Sequence, residues 1–140
     1  MKRAFLIFIF IMTTLLYGCS FHSSNTASQP LCRIVTQITV IQQDDADSTQ
    51  KLYTDGDKMQ SILNYLRLID PYGSPSVDPK TVEGNTVRII VSHSDGFEQV
   101  YEQKADRFMT VNGGRWMCID SEKAQALHAL IDDMERDPQK

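Results

Sequence analysis

One stretch of this chain is unlike the rest: from Ala4 to Tyr17 it runs 14 residues without a charge, mostly apolar, directly after Lys2 and Arg3. A helix that spans a bilayer needs about 17–25 such residues, so the run is too short for a permanent transmembrane anchor and reads as an export signal. It decides what is left to fold. Removing residues 1–18 leaves 122 of the 140 residues, and the loss of Lys2 and Arg3 takes the formal charge from −4 to −6. A chain of that length builds one domain at most. Its acidic balance, without a Lys/Arg cluster, excludes a general nucleic-acid binder. With 41% hydrophobic and 23% charged residues, wholesale disorder is excluded as well.

The signal ends in Leu16-Tyr17-Gly18-Cys19. This tetrapeptide resembles the lipobox of bacterial lipoproteins, a Leu, a variable residue, a small residue and Cys. Gly18 and Cys19 match the pattern, whereas Tyr17 stands where small residues are commoner. The likeness covers the first twenty residues and implies that the Cys19 thiol takes a diacylglyceryl group, that cleavage falls just before it, and that Cys19 opens the mature chain. Membrane lipid is then the expected partner through Cys19, since two or more acyl chains anchor stably. The fold would sit on the extracytoplasmic side of a cell membrane or outer membrane, and Ser20 is compatible with outer-membrane sorting. Residues 19–31 form the lipidated Cys and its tether, whose polar, Ser-rich part from Ser20 to Pro30 spans about 15–20 Å as a random coil. His22 stands alone there, with no second ligand at metal-site spacing.

With Cys19 assigned to lipid, Cys32 and Cys118 remain, an even pair in a compartment where disulfides persist. The economical expectation is one structural disulfide closing a loop of roughly 85 residues, worth about 4–5 kcal/mol on the loop-entropy model. Two free buried thiols are the alternative, and a redox pair would ordinarily use a close CxxC, which is absent.

The rest, residues 32–136, reads as a single α+β domain, with a frayed end at 137–140. RIVTQITVIQQ (33–43) alternates, with Ile34, Thr36, Ile38, Val40 and Gln42 on one face, and predicts a strand. Lys51–Thr54 predicts a short second strand. Asp55 or Thr54 caps a helix whose stripe is Met59, Ile62, Leu63, Leu66 and Ile69 and which stops at Asp70-Pro71. Residues 71–85, with three prolines and two glycines, form a long loop, either a functional surface or a connector curling over the core. TVRIIVSH, FEQVYEQ, RFMTV and RWMCI then read as a four-strand antiparallel meander, turning at Ser94-Asp95-Gly96, Lys104-Ala105-Asp106 and Asn112-Gly113-Gly114. Asp120 or Ser121 caps a last helix carrying Leu127, Leu130, Ile131 and Met134. The expected fold is a curved antiparallel sheet packed by two helices. This order resembles cystatin-like and PepSY-like domains in topology alone, with no sequence motif behind the likeness.

No set of residues announces a reaction. His93-Ser94-Asp95 has the residue types of a hydrolase triad, but neighbours on a hairpin point to opposite faces, so His93 reads as a rim residue. Asp44, Asp45, Asp47, Asp55 and Asp57 lack the central Gly and closing Glu of a calcium loop and read as solvated turns. Glu98, Glu102 and Asp106 are the carboxylates near enough in sequence for an envelope-polymer hydrolase. Among Trp116, Phe108, Tyr101, Phe97 and Tyr72, most belong to the core, while Tyr72 and Trp116 are the candidates for a binding surface. His128 flanks an apolar stripe. The expectation is therefore a membrane-anchored envelope lipoprotein, not an enzyme and without cofactor or metal, whose domain binds a protein, a peptide or a cell-wall component. A protease-inhibitor or immunity-type module acting through residues 71–85 is the second possibility, and the hydrolase the third.

Overall fold

The computed structural model describes residues 33–44 and 46–136. The signal segment, Cys19 with its tether, Cys32, Asp45 and the 137–140 end lie outside the described residues. The chain forms β1 (Val35–Gln43), β2 (Ser48–Tyr53), α1 (Gly56–Leu68), a 3-10 turn (Pro79–Thr81), β3 (Thr86–His93), β4 (Glu98–Lys104), β5 (Phe108–Val111), β6 (Met117–Cys118) and α2 (Ser121–Arg136). The strands make one antiparallel sheet in the order β2-β1-β3-β4-β5-β6. It is the expected α+β arrangement, a curved sheet packed by two helices.

Strand alternation sends one set of side chains to the helices. Ile38, Val40, Val87, Ile89, Val91 and Met109 meet Ile62, Ala124, Leu127 and Ile131, all 2% exposed or less. The helices run antiparallel across the sheet. Lys58 near the start of α1 donates from Nζ to the Met134 carbonyl near the end of α2 (3.1 Å), and Lys51 of β2 pairs with Glu135. Both are capped as the sequence predicts. The Asp55 carboxylate accepts the N–H groups of Asp57 and Lys58, and Asp120 those of Glu122 and Lys123.

Three details depart from expectation. In β1 the pairing jumps from Val35–His93 to Gln37–Ser92, a bulge at Thr36 that reverses the alternation. Val35 thereby packs against the core, and Ile34 is left 66% exposed. The last strand is two residues long rather than five, and its outer edge is closed by a backbone bridge to Tyr72.

The third departure is the predicted Cys32–Cys118 disulfide, which the structure overturns: Cys118 is a free thiol. The sheet explains why. Cys118 lies opposite Phe108, which leads through Lys104 and Thr86 to Gln43, the last residue of β1. Cys118 is therefore four strand spacings from β1, about 19 Å across the sheet. It is also level with the end of β1, whereas Arg33, next in sequence to Cys32, precedes its beginning. A disulfide requires Cα atoms within about 7 Å.

Candidate binding surface

The face away from the helices begins with a row read straight across the register: Leu52 opposite Thr39, Thr39 opposite Ile90, Ile90 opposite Val100. Directly opposed residues share a face, so the row forms one stripe over β2, β1, β3 and β4. No helix covers it. Leu52 is 59% exposed, and Ile90 and Val100 are half-buried. Polar rows border it. On one side Arg88 pairs with Glu102 at 3.0 Å, and on the other the Ser92 hydroxyl donates to Glu98 at 3.3 Å.

Toward β6 the same face is roofed by residues 71–85, a tied-down strap. Tyr72 exchanges both backbone bonds with Cys118 (2.8 and 2.9 Å), Asp78 caps the 3-10 turn through the Lys80 N–H, and Lys104 Nζ donates to the Gly84 carbonyl (2.7 Å). Gly84 is required there, since its φ is +128° and a Cβ would stand 3.0 Å from that of Ala105. Trp116, half-buried, lines a crevice of about 200 Å³ with Pro79, Lys80, Thr86, Glu102 and Lys104. Tyr72 is 59% exposed, two residues away from Trp116 across the backbone bridge at Cys118. The two candidate aromatics thus sit at one border of the sheet, beside the apolar row and not on it. Phe108 is buried, 7% exposed, on the face it shares with Lys104 and Cys118, whereas Tyr101 packs against the core beneath the helices.

The other candidates are dispersed. Glu98 and Glu102 lie on the open face four residues apart, about 13 Å along β4, each with a different partner. Asp106 is on the other side of the molecule from them, where its carboxylate accepts from His128 Nε2 at 3.2 Å. The three carboxylates do not converge. His93, Ser94 and Asp95 form the β3–β4 turn: His93 Nδ1 donates to the Phe97 carbonyl (3.2 Å), and Asp95 accepts the Phe97 N–H (3.0 Å) and pairs with Arg33 (3.0 Å). That backbone bond first, and then the Arg33 charge, hold the Asp95 carboxyl below its ordinary range. Of the acidic residues, Asp55 is a helix cap, Asp57 lies in the first turn of α1, and the Asp44 N–H bonds the Asp47 carbonyl. Among the described residues no three His, Cys, Asp or Glu side chains gather as a metal site, and no helix is long and apolar enough to cross a membrane.

Two polar groupings escaped the sequence reading. His128, given Nε2–H by its bond to Asp106, takes a long contact from Gln42 Nε2 at Nδ1 (3.5 Å) beside a polar cleft of about 200 Å³ that Asp44, Asp47 and Thr49 also line. Asp106 reaches His128 from a turn in which Ala105 (φ 52°) and Asp106 (φ 50°) both adopt left-handed backbone. In the core, the Tyr65 hydroxyl donates to Gln103 Oε1 (2.9 Å), and Gln103 Nε2 has no partner. Partners 22, 86 and 38 residues apart leave no local signal in a sequence. No family model matches this chain, and no curated protein or solved structure is significantly similar to it.

Proposed function

We propose that this chain is a membrane-anchored envelope lipoprotein, held through Cys19, whose domain is a non-catalytic module that binds another protein through the open face of its sheet. One observation carries the reading: Leu52, Ile90 and Val100, with the 8% exposed Thr39 between them, form a largely apolar row that none of the described helices covers and that charged and hydroxyl side chains border. An apolar centre within a polar rim is the anatomy of a protein interface. The strap over the β6 border gives that face a rigid wall, with Trp116 behind it and Tyr72 on its outside. The reading carries with it the likeness of element order to cystatin-like and PepSY-like domains, and assigns no bond-breaking step to Glu98, Glu102 or Asp106.

Photo-crosslinking in intact membranes tests it, with a photoreactive residue at position 90, 100 or, as a control on the solvent side of α2, 132. The expected result is one adduct of defined mass from positions 90 and 100, lost on Ile90→Asp in the position-100 protein and absent from position 132. Adducts of equal yield at all three positions, or none at 90 and 100, would overturn the binding face. Mass spectrometry of the mature N-terminus tests the anchor separately, and an unmodified Cys19 refutes it.

A further inference from the structure

The end of the sheet at which the described chain begins carries exposed apolar side chains outside the core cluster. Ile34 is 66% exposed and Phe97 37%. They are neighbours through the β3–β4 turn: the Ile34 carbonyl accepts the Ser94 N–H (2.9 Å), and the guanidinium of Arg33 lies 4.1 Å from the centre of the Phe97 ring. The Arg33 charge is matched by Asp95 at 3.0 Å, so the negative charge at this turn is compensated within a chain that is acidic as a whole. The ring of His93, 5.6 Å from that of Phe97, completes the cluster.

We infer that Ile34 and Phe97, framed by Arg33, are a membrane-docking corner that enters the headgroup region of a phospholipid bilayer. The inference rests on the reading of Cys19 as lipid-bearing. Under that reading the occupant follows from the length and end of the chain outside the described residues. Twelve residues separate Cys19 from Cys32, and a random coil of that length spans about 20 Å. On that reading the tether, residues 19–31, ends two positions before Arg33, so this corner is held at high effective concentration beside the bilayer. An exposed aliphatic and an aromatic side chain with a guanidinium beside them suit the headgroup boundary, where apolar groups enter about 5–10 Å and a polar end stays wet. Because Asp95 already balances Arg33, docking does not require anionic lipid. It would hold the β3–β4 turn down and leave the open sheet face at the side, clear for its partner.

The test uses the full acylated protein in phosphatidylcholine vesicles with brominated acyl chains. Wild type reports from Trp116, at the far border of the sheet, and a Phe97→Trp/Trp116→Phe variant reports from the corner. The expected result is quenching at position 97 about threefold stronger than at Trp116, reduced to the Trp116 level by Ile34→Asp while vesicle flotation is unchanged. Flotation with equal quenching at the two positions overturns the docking corner and spares the anchor. Loss of flotation together with an unmodified Cys19 mass overturns both.

Discussion

Ile89 and Ile90 are consecutive residues of β3 in different surroundings. Ile89 is 1% exposed beneath the helices, whereas Ile90 is half-buried in a row that neither described helix covers. The same contrast runs through the whole sheet. Val87, Ile89 and Val91 close a core with α1 and α2, while the intervening positions Arg88, Ile90 and Ser92 face outward as charge, apolar group and hydroxyl. The two faces therefore differ in what they contribute: the core lies under the helices, and the apolar residues opposite are the ones assigned above, as a proposal, to recognition.

The largest effect should separate these two isoleucines. Ile89→Ala removes a fully buried side chain and should cost about 3 kcal/mol, while Ile90→Ala, already half in water, should cost less than about 1 kcal/mol. Urea unfolding measures both, and equal losses would break the contrast between the faces.

A second experiment probes the polar weak point of the covered face. Tyr65→Phe leaves Gln103 without a partner at either end of its amide and should cost about 1–3 kcal/mol, and the added Gln103→Leu change should restore part of it. The same pair predicts a pH dependence. Burial raises the Tyr65 phenol well above its ordinary 10.0, with the Asp106 charge adding to the rise and the Gln103 bond opposing it. A raised folded value means stability that is complete below the unfolded value and lost as pH climbs beyond about 10. Tyr65→Phe should therefore show a shallower alkaline loss of Tm than wild type, and identical slopes would refute the assignment.

The smallest effect concerns the border of the sheet. Cys118 is a free, half-buried thiol, so treatment with reductant should leave Tm unchanged, and Cys118→Ser should shift stability by less than about 1 kcal/mol. A fall of several degrees on reduction would contradict the free thiol.

What the sequence showed and what it concealed differ by range. The strands were legible because alternation acts over neighbours, and the helices because Asp55 and Asp120 cap local N–H groups and Ile62 and Leu127 repeat at helical spacing. Thr36 was not legible as a bulge, since an inserted residue is defined only against the partner strand. The disulfide expectation failed for the same reason. Compartment and cysteine parity said that Cys32 and Cys118 could pair, but only the strand order shows β1 and β6 to be separated by three other strands. Of the binding surface, Tyr72 and Trp116 stood out as aromatics. The row of Leu52, Thr39, Ile90 and Val100 is spread over four strands and exists only in register.

The bridge between Tyr72 and Cys118 has a consequence for how molecules could meet. It stops up the β6 border, whereas β2 offers six residues of edge backbone at the opposite one. Molecules that met edge to edge through β2 would form a pair with a plugged border at either end, so the sheet could be doubled but not propagated into a fibre.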